Sequence, residues 1–221
     1  MCIVPELLPA WFLVVALVPS FVLLLWALRR TNWQALRVQP MLQHIFYIAC
    51  LGLAGLWSIR AGISSGLGIH FMGLTATTLL MGWPLALLAG AISLLFVTLI
   101  GLESFWCFGV NYLISVALPV ITSYGVLRWV QSHFPSNPFI YIFLCGFFNG
   151  AFAILCVAIS TSLMLGTLEV YSWSKVYDNY LMYLPLMLFP EAFMNGMLVA
   201  GIMGTKPELL SSFNVDEYFK D

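Results

Sequence analysis

The sequence predicts an all-α membrane protein with about seven transmembrane helices in a single domain. Its 221 residues are 62% hydrophobic and only 8% charged, whereas soluble domains carry about 25% charged residues. The apolar residues form long runs separated by short polar loops, and most runs are long enough to cross the hydrocarbon layer as a helix. The net charge of −1 provides no basic field for nucleic acid. We therefore expect membrane lipid around a domain of residues 1–204.

The predicted helices follow the apolar runs in order. The first begins near Trp11, contains Pro19 and ends before Arg29. It lacks the basic start and the cleavage site of a signal peptide, so we expect it to be retained as the first span. The spans are expected at residues 11–28, 44–59, 68–81, 84–100, 108–130, 139–165 and 181–204. A polar cytoplasmic tail, residues 205–221, follows as either a binding peptide or a disordered end.

The third and fourth spans come from one stretch, residues 66–100, that is too long for one helix and just long enough for two. The break is expected at Gly82-Trp83-Pro84, because proline ends or restarts a helix. The third span is short and rich in glycine and threonine. Small residues of this kind let helices approach closely in lipid.

The positions of the basic residues predict the orientation. With the N-terminus outside the cell, six of the eight lysines and arginines are cytoplasmic and two are outside, as the positive-inside rule requires. The N-terminus, His70 and Asn111 then lie at the same outer face, and the C-terminus is cytoplasmic. The cytoplasmic cations would be Arg29, Arg30, Arg37, Arg128, Lys206 and Lys220, and the outer ones Arg60 and Lys175.

His70 lies in a Gly/Thr-rich run at the start of the third span. An ionisable group at the edge of a membrane is a candidate functional residue. Two interpretations stay open from the residues alone. His70 is either part of a site or an interfacial histidine that hydrogen-bonds to a carbonyl.

Three other polar residues fall within predicted spans. Glu191 sits near the middle of the seventh span, where a carboxylate costs about 2.5–3.5 kcal/mol, so it should be neutral or paired. A structural hydrogen bond and a role in transport coupling are both open for Glu191. Asn111 and Asn195 are either functional residues or hydrogen bonds between helices.

The sequence contains no enzyme signature. Walker A, GxSxG and HExxH motifs are absent. His70 has only generic serines and threonines nearby, and the five cysteines form no CxxC pair. We expect no catalytic residues, no enzyme activity and no resident cofactor.

Four short motifs, spread over nearly the whole chain, resemble those of the CbiM/NikM family. This family comprises the substrate-binding membrane subunits of energy-coupling-factor (ECF) cobalt and nickel transporters. Its members begin Met-His-Ile with a Leu-Pro soon after, have a His-Pro-Thr-Gly-Thr-Gly loop that leads to Phe-Gly-Pro, and carry Leu-Gly-Ala-Asn and Pro-Leu…Ala-Glu-Gly elements. The corresponding elements here are Met1-Cys2-Ile3 with Leu8-Pro9, His70-Phe71-Met72-Gly73 with Met81-Gly82-Trp83-Pro84, Phe108-Gly109-Val110-Asn111, and Pro185-Leu186 with Pro190-Glu191.

The resemblance implies a divalent transition-metal ion, nickel or cobalt, as the transported substrate. In the family the ligands are the N-terminal amine, the second-position histidine and the loop histidine, which correspond here to Met1, Cys2 and His70. Cys2 departs from the family's histidine, and a thiolate widens the range of metals to copper or zinc. Removal of Met1, which a small second residue permits, would make Cys2 the amino-terminal residue.

By the same resemblance, the protein would be a passive capture subunit in the inner membrane of a prokaryote. Its partners would be a scaffold membrane subunit and two cytoplasmic ATPases. The loss of the second-position histidine favours a second hypothesis. In that hypothesis the protein is a stand-alone membrane protein derived from the family, without metal capture, that acts in assembly or in another membrane role.

Overall fold

The computed structural model describes residues 2–3, 5–64 and 67–218. Within these residues, six helices are long and apolar enough to cross a membrane. They are α1 (Ala10–Arg30), α3 (Pro40–Ser58), α4 (Leu74–Leu99), α5 (Phe105–His133), α6 (Pro138–Thr167) and α8 (Leu184–Thr205), the last within the apolar segment Trp173–Thr205. Shorter helices are α2 (Trp33–Val38), α7 (Trp173–Asn179) and α9 (Val215–Tyr218). Wider π-helical turns interrupt α5 at Leu113–Ala117 and α6 at Tyr141–Phe148.

The prediction of an all-α membrane protein is confirmed, with one small addition. A three-stranded antiparallel sheet, in the order β1-β3-β2, combines β1 (Cys2–Ile3), β2 (Ala61–Ser64) and β3 (Leu67–Ile69). The prediction that the third helix begins at Gly68 is wrong, because Gly68 pairs with both Cys2 and Gly62 in this sheet. Glycine disfavours a helix, and the strand partners here supply the backbone hydrogen bonds.

The predicted break at Gly82-Trp83-Pro84 is confirmed. Gly82 has φ 79° and ψ 163°, which is not helical, and Pro84 follows inside α4. Such a positive φ is open to glycine and strained for other residues. The break divides α4 into a short limb, residues 74–81, and a long limb, residues 83–99. Counting the two limbs separately gives the predicted number of spans, about seven.

Contacts of the two limbs show that they run in opposite directions. At the start of the long limb, Trp83 packs on Trp26, near the end of α1, with ring centroids 4.3 Å apart. After the long limb, the Leu102 carbonyl accepts a hydrogen bond from Arg60, just beyond α3, at 2.7 Å. At the end of the short limb, the Leu79 carbonyl accepts a hydrogen bond of 2.8 Å from a serine beyond α8.

These contacts define two ends of the helix bundle. The tail end contains Gly82, the C-terminal ends of α1 and α8, and the segment 206–218. The site end contains the end of α3, the sheet and the turn after α4. The His70 loop therefore lies at the N-terminal end of the short limb, towards the site end. The C-terminal end of the limb contacts the tail segment.

A buried apolar cluster covers the site end. Leu8 comes from the segment before α1, Met72 from the loop before α4, Cys107 from the start of α5, Val176 from α7 and Met187 from α8. Elements that are distant in sequence thus pack into one cluster with Met72 of the His70 loop. Burial of their apolar side chains keeps water away from its polar groups.

Candidate metal site

His70 lies in the loop between β3 and α4 and is 6% exposed. Its Nδ1 is 3.0 Å from the Phe71 carbonyl oxygen. Because a carbonyl only accepts hydrogen bonds, Nδ1 must carry the proton, and the basic lone pair is on Nε2. Burial also lowers the pKa of His70 well below its usual value, which favours the neutral imidazole that metals bind.

Trp57, at the end of α3, fixes the ring of His70 from the side. The two ring centroids are 5.5 Å apart. The indole Nε1–H of Trp57 donates to the Met72 carbonyl at 3.1 Å, so the same tryptophan holds both the histidine ring and the backbone that follows it.

The sheet brings the start of the chain to this loop. Cys2 pairs with Gly68 and Ile3 pairs with Leu67 in antiparallel register. Going back along β1 from Ile3 to Cys2 therefore moves along β3 towards His70. Met1 and the side chain of Cys2 lie outside the described part of the chain.

Glu191, on α8, also anchors the loop and is 2% exposed. Its Oε2 accepts from the Met72 N–H at 2.8 Å, and its Oε1 accepts from the Gly73 N–H at 2.9 Å. A carboxylate at the start of a helix is favourable, because the first N–H groups of the helix have no partner within it. Gly73 begins α4 with φ 67°, a conformation that glycine adopts readily.

Asn195, one turn further along α8, completes this anchor. Its Nδ2 donates to Oε1 of Glu191 at 2.8 Å, and its Oδ1 accepts from the Ala76 N–H at 2.9 Å. Glu191 is therefore paired with an amide and two backbone N–H groups. All of these partners are donors, as an ionised carboxylate requires.

Asn111 belongs to a polar cluster at the same end of the bundle. It donates to Oε2 of Glu103 at 2.5 Å. Glu103 also pairs with Arg60, with an N–O distance of 3.3 Å. Arg60 in turn donates from Nε to the Trp57 carbonyl at 2.9 Å, so this cluster supports the tryptophan that packs on His70.

Among the described residues, no group of three His, Cys, Asp or Glu side chains is arranged to hold a metal ion. The described part of the site thus presents His70, the backbone of Cys2 and a network of buried hydrogen bonds around them. This arrangement positions one imidazole beside the start of the chain.

The family model described as "Cobalt uptake substrate-specific transmembrane region" matches residues 3–209. The chain belongs to the CbiM family. It is thus a multi-pass membrane component of a metal-transport family. A comparison with curated proteins gives no match.

Two solved structures share the fold of this chain. One, described as a truncated transition metal transporter, is 16% identical with a TM-score of 0.79, and the match covers 92% of this chain and 99% of that chain. The other, described as a transition metal transporter, is 16% identical with a TM-score of 0.76, and the match covers 92% of this chain and 93% of that one. At 16% identity, the likeness shows the fold alone.

Sequence reasoning missed three residues that shape the site of this CbiM-family chain, namely Trp57, Arg60 and Glu103. A tryptophan near the end of a span is typical of an interface anchor, so Trp57 carried no signal. Arg60 could have been identified from the sequence, because it is one of the two cations expected at that end of the bundle. Glu103 lies in one of the two other turns expected at that end, and the structure shows that it is the ion-pair partner of Arg60.

Proposed function

We propose that this protein is the substrate-capture subunit of an ECF-type transporter for a divalent transition-metal ion. It would bind the ion at the outer face of a prokaryotic inner membrane, with the N-terminus outside and the C-terminus in the cytoplasm. The ligands would be the N-terminal amine, at Met1 or at Cys2 after removal of Met1, the Cys2 thiolate and His70. In this function the protein binds and releases an ion and catalyses no reaction.

One observation carries the proposal. β1 pairs with β3 so that Cys2 lies opposite Gly68, and the buried His70 follows β3 directly in the chain. A terminal strand held in this way delivers the start of the chain to a neutral imidazole. An amine, a thiolate and an imidazole from two short segments are too few ligands for a closed structural site, and they suit an ion that must be released.

The donor set bears on which metal is bound. Amine and imidazole nitrogens suit nickel and cobalt, and a thiolate favours copper(I) or zinc. We propose nickel or cobalt from the family, with copper and zinc as the metals that Cys2 admits. If Met1 is removed, the amine and the thiolate of Cys2 form one five-membered chelate ring.

The proposed partners are a scaffold membrane subunit and two cytoplasmic ATPases. The chain has no Walker A motif, so energy for release would come from such a module. Co-purification with tagged ATPase and scaffold subunits from the same genome tests this part separately. Absence of a complex would favour the stand-alone membrane protein, which the missing family histidine at position 2 also favours.

Metal binding is the direct test of capture. The protein is purified in detergent, and nickel, cobalt, zinc and copper(I) are titrated against wild type, His70→Ala and Cys2→Ser. We expect stoichiometric binding by the wild type and its loss in both variants. His133→Ala is the matched control, because His133 is exposed at the tail end and stacks on Trp129; it should bind like wild type.

The outcomes separate the two functions. Absence of binding by the wild type at micromolar metal would reject capture and leave the stand-alone role. Stoichiometric binding that survives His70→Ala would place the ion elsewhere. Cys2→His restores the family residue, and tighter nickel binding by this variant would show that position 2 selects the metal.

A further inference from the structure

A peptide group of the His70 loop lies between Glu191 and the imidazole. The Phe71 carbonyl accepts from Nδ1–H of His70 at 3.0 Å. The N–H of the same peptide group, on Met72, donates to Oε2 of Glu191 at 2.8 Å. A trans peptide is planar, and its carbonyl and its N–H point in opposite directions within that plane. A continuous hydrogen-bonded path therefore joins the carboxylate to the imidazole ring.

The next peptide group repeats this arrangement with Trp57. The Met72 carbonyl accepts from the indole Nε1–H at 3.1 Å, and the N–H of that peptide group, on Gly73, donates to Oε1 of Glu191 at 2.9 Å. Both oxygens of one carboxylate thus act, each through one peptide group, on two neighbouring aromatic rings. The ring centroids of Trp57 and His70 are 5.5 Å apart. The two hydrogen-bonded paths from Glu191 therefore end at adjacent rings.

We infer that Glu191 is a positioning residue for His70: through the Phe71–Met72 peptide group it holds the imidazole with Nδ1 protonated and Nε2 presented to the metal. This inference rests on the proposed capture of the ion at His70. Histidines that bind metals generally donate their other ring N–H to a carboxylate or a carbonyl, which fixes the tautomer and strengthens the ligating nitrogen. Here the carbonyl is the direct acceptor, and the carboxylate polarises it from behind, as hydrogen bonds in a chain do.

The hydrogen bonds of Glu191 separate this role from that of a direct ligand. Its oxygens accept from Met72, Gly73 and Asn195, and the side chain is 2% exposed. Binding an ion directly would remove these acceptors from the start of α4 in a place without water. Glu191 therefore acts on the ion through the backbone and His70.

Glu191→Gln tests the relay with almost no change in size. A glutamine amide has one acceptor oxygen, so one of the two backbone N–H groups loses its acceptor. In protein labelled with ¹⁵N-histidine and free of metal, we expect wild-type His70 to show a protonated Nδ1 and an unprotonated Nε2. In the variant we expect a mixture of tautomers and a loss of metal affinity of about 10–100-fold. His70→Ala assigns the signal.

The matched control is Asn149→Ala. Asn149 is a buried amide whose Nδ2 donates to the Ser123 carbonyl at 3.0 Å, so its loss also removes a polar contact in the core of the bundle. We expect it to leave both the His70 tautomer and the metal affinity unchanged. If Glu191→Gln fails to fold, Glu191→Asp replaces it. That variant keeps the charge but withdraws the oxygens from the N–H groups, and we expect the same shift in tautomer.

The readouts distinguish this inference from the proposed function. An unchanged tautomer in the Glu191 variant overturns the relay, whether or not metal affinity falls, because a merely structural role would lower affinity alone. A tautomer shift with reduced affinity supports it. If wild type binds no metal, the proposed function fails, and the tautomer of the metal-free protein still decides whether Glu191 positions His70.

Discussion

The two ends of the short limb of α4 are held by different kinds of hydrogen bond. Towards the site end, Glu191 accepts from the two N–H groups that precede the limb and is 2% exposed. At the tail end, the carbonyls of Leu79 and Leu80 accept from the backbone N–H groups of Ser212 and Ser211 at 3.4 and 3.1 Å. Ser211 is exposed and Ser212 is half-buried.

This difference indicates where the limb is fixed and where it can be released. Hydrogen bonds to an ionised group are about twice as strong as neutral ones, and a buried donor without an acceptor is costly. Bonds beside water can be exchanged for bonds to water at little net cost. The limb is therefore fixed at the loop of His70 and held more weakly on the side that faces the proposed cytoplasmic partners.

The largest effect is expected for Glu191→Leu, which removes the anchor near the site. The buried Met72 and Gly73 N–H groups then lose their acceptors. Each buried donor without an acceptor costs about 1–3 kcal/mol. The free energy of unfolding in detergent should fall by about 2–6 kcal/mol, measured by denaturant titration. Asn149→Leu, which removes one buried amide bond, should cost clearly less. A loss for Glu191→Leu no greater than for this control would contradict the picture of a firmly held loop.

Gly73→Ala tests the backbone at the same point. Gly73 has φ 67°, and an added methyl group would lie 3.2 Å from side-chain methyls of Leu53 and Leu56. The left-handed conformation alone costs about 1–2 kcal/mol for a residue with a side chain. Thermal unfolding should show this loss. Gly52→Ala, where nothing lies within 4 Å, should be neutral or stabilising by about 0.5–1 kcal/mol; equal effects at both positions would argue against strain at Gly73.

The sequence was sufficient to predict the features that are local in the chain. Apolar runs predicted the long helices, and Gly82-Trp83-Pro84 predicted the break, because glycine and proline act on their own backbone. The start of the third helix was predicted wrongly at Gly68. Its strand partner, Cys2, is separated from it along the chain by the first two spans. No local pattern in the sequence shows such a pairing.

The site shows the same limit more strongly. His70 and Glu191 each stood out as ionisable groups in an apolar sequence. Their connection did not, because the bonds from Glu191 to Met72 and Gly73 join residues 119 and 118 positions apart. The peptide groups that link them carry no side-chain signature, since every residue but proline has the same N–H and carbonyl. Composition therefore identified the charged groups, and only the fold showed that the backbone connects them.

The pH dependence of metal binding tests whether the site end is dry. Burial lowers the pKa of His70, so the imidazole is neutral near pH 7 and the metal displaces no proton from it. In the proposed site, the Cys2 thiol, with a usual pKa of about 8.5, must lose its proton before it binds the metal. Affinity should then rise about tenfold, or about 1.4 kcal/mol, per pH unit below that value. Titration calorimetry at several pH values measures the slope.

Variants assign that slope to its group. Both variants lose stoichiometric binding at micromolar metal, so they are titrated at higher metal concentrations. There Cys2→Ser should flatten the slope, whereas His70→Ala should weaken binding at every pH without changing the slope. A slope that disappears in His70→Ala would mean that His70 is protonated at neutral pH. The site end would then be wetter than the burial of its side chains indicates.

A smaller effect than that of Glu191→Leu is expected at the tail end, for Ser212→Ala. This change removes the Oγ–H bond of 2.8 Å to the Leu79 carbonyl and the bond of 2.6 Å with the Tyr141 hydroxyl. A neutral, partly buried hydrogen bond contributes about 0.5–1.5 kcal/mol, so the loss of both should cost about 1–3 kcal/mol, which denaturant titration can resolve. Ser211→Ala is the control, because its Oγ lies 3.5 Å from the same carbonyl and should contribute less. If Ser212→Ala cost as much as Glu191→Leu, the limb would be held equally at both ends, and the tail end would no longer be the place where it is released.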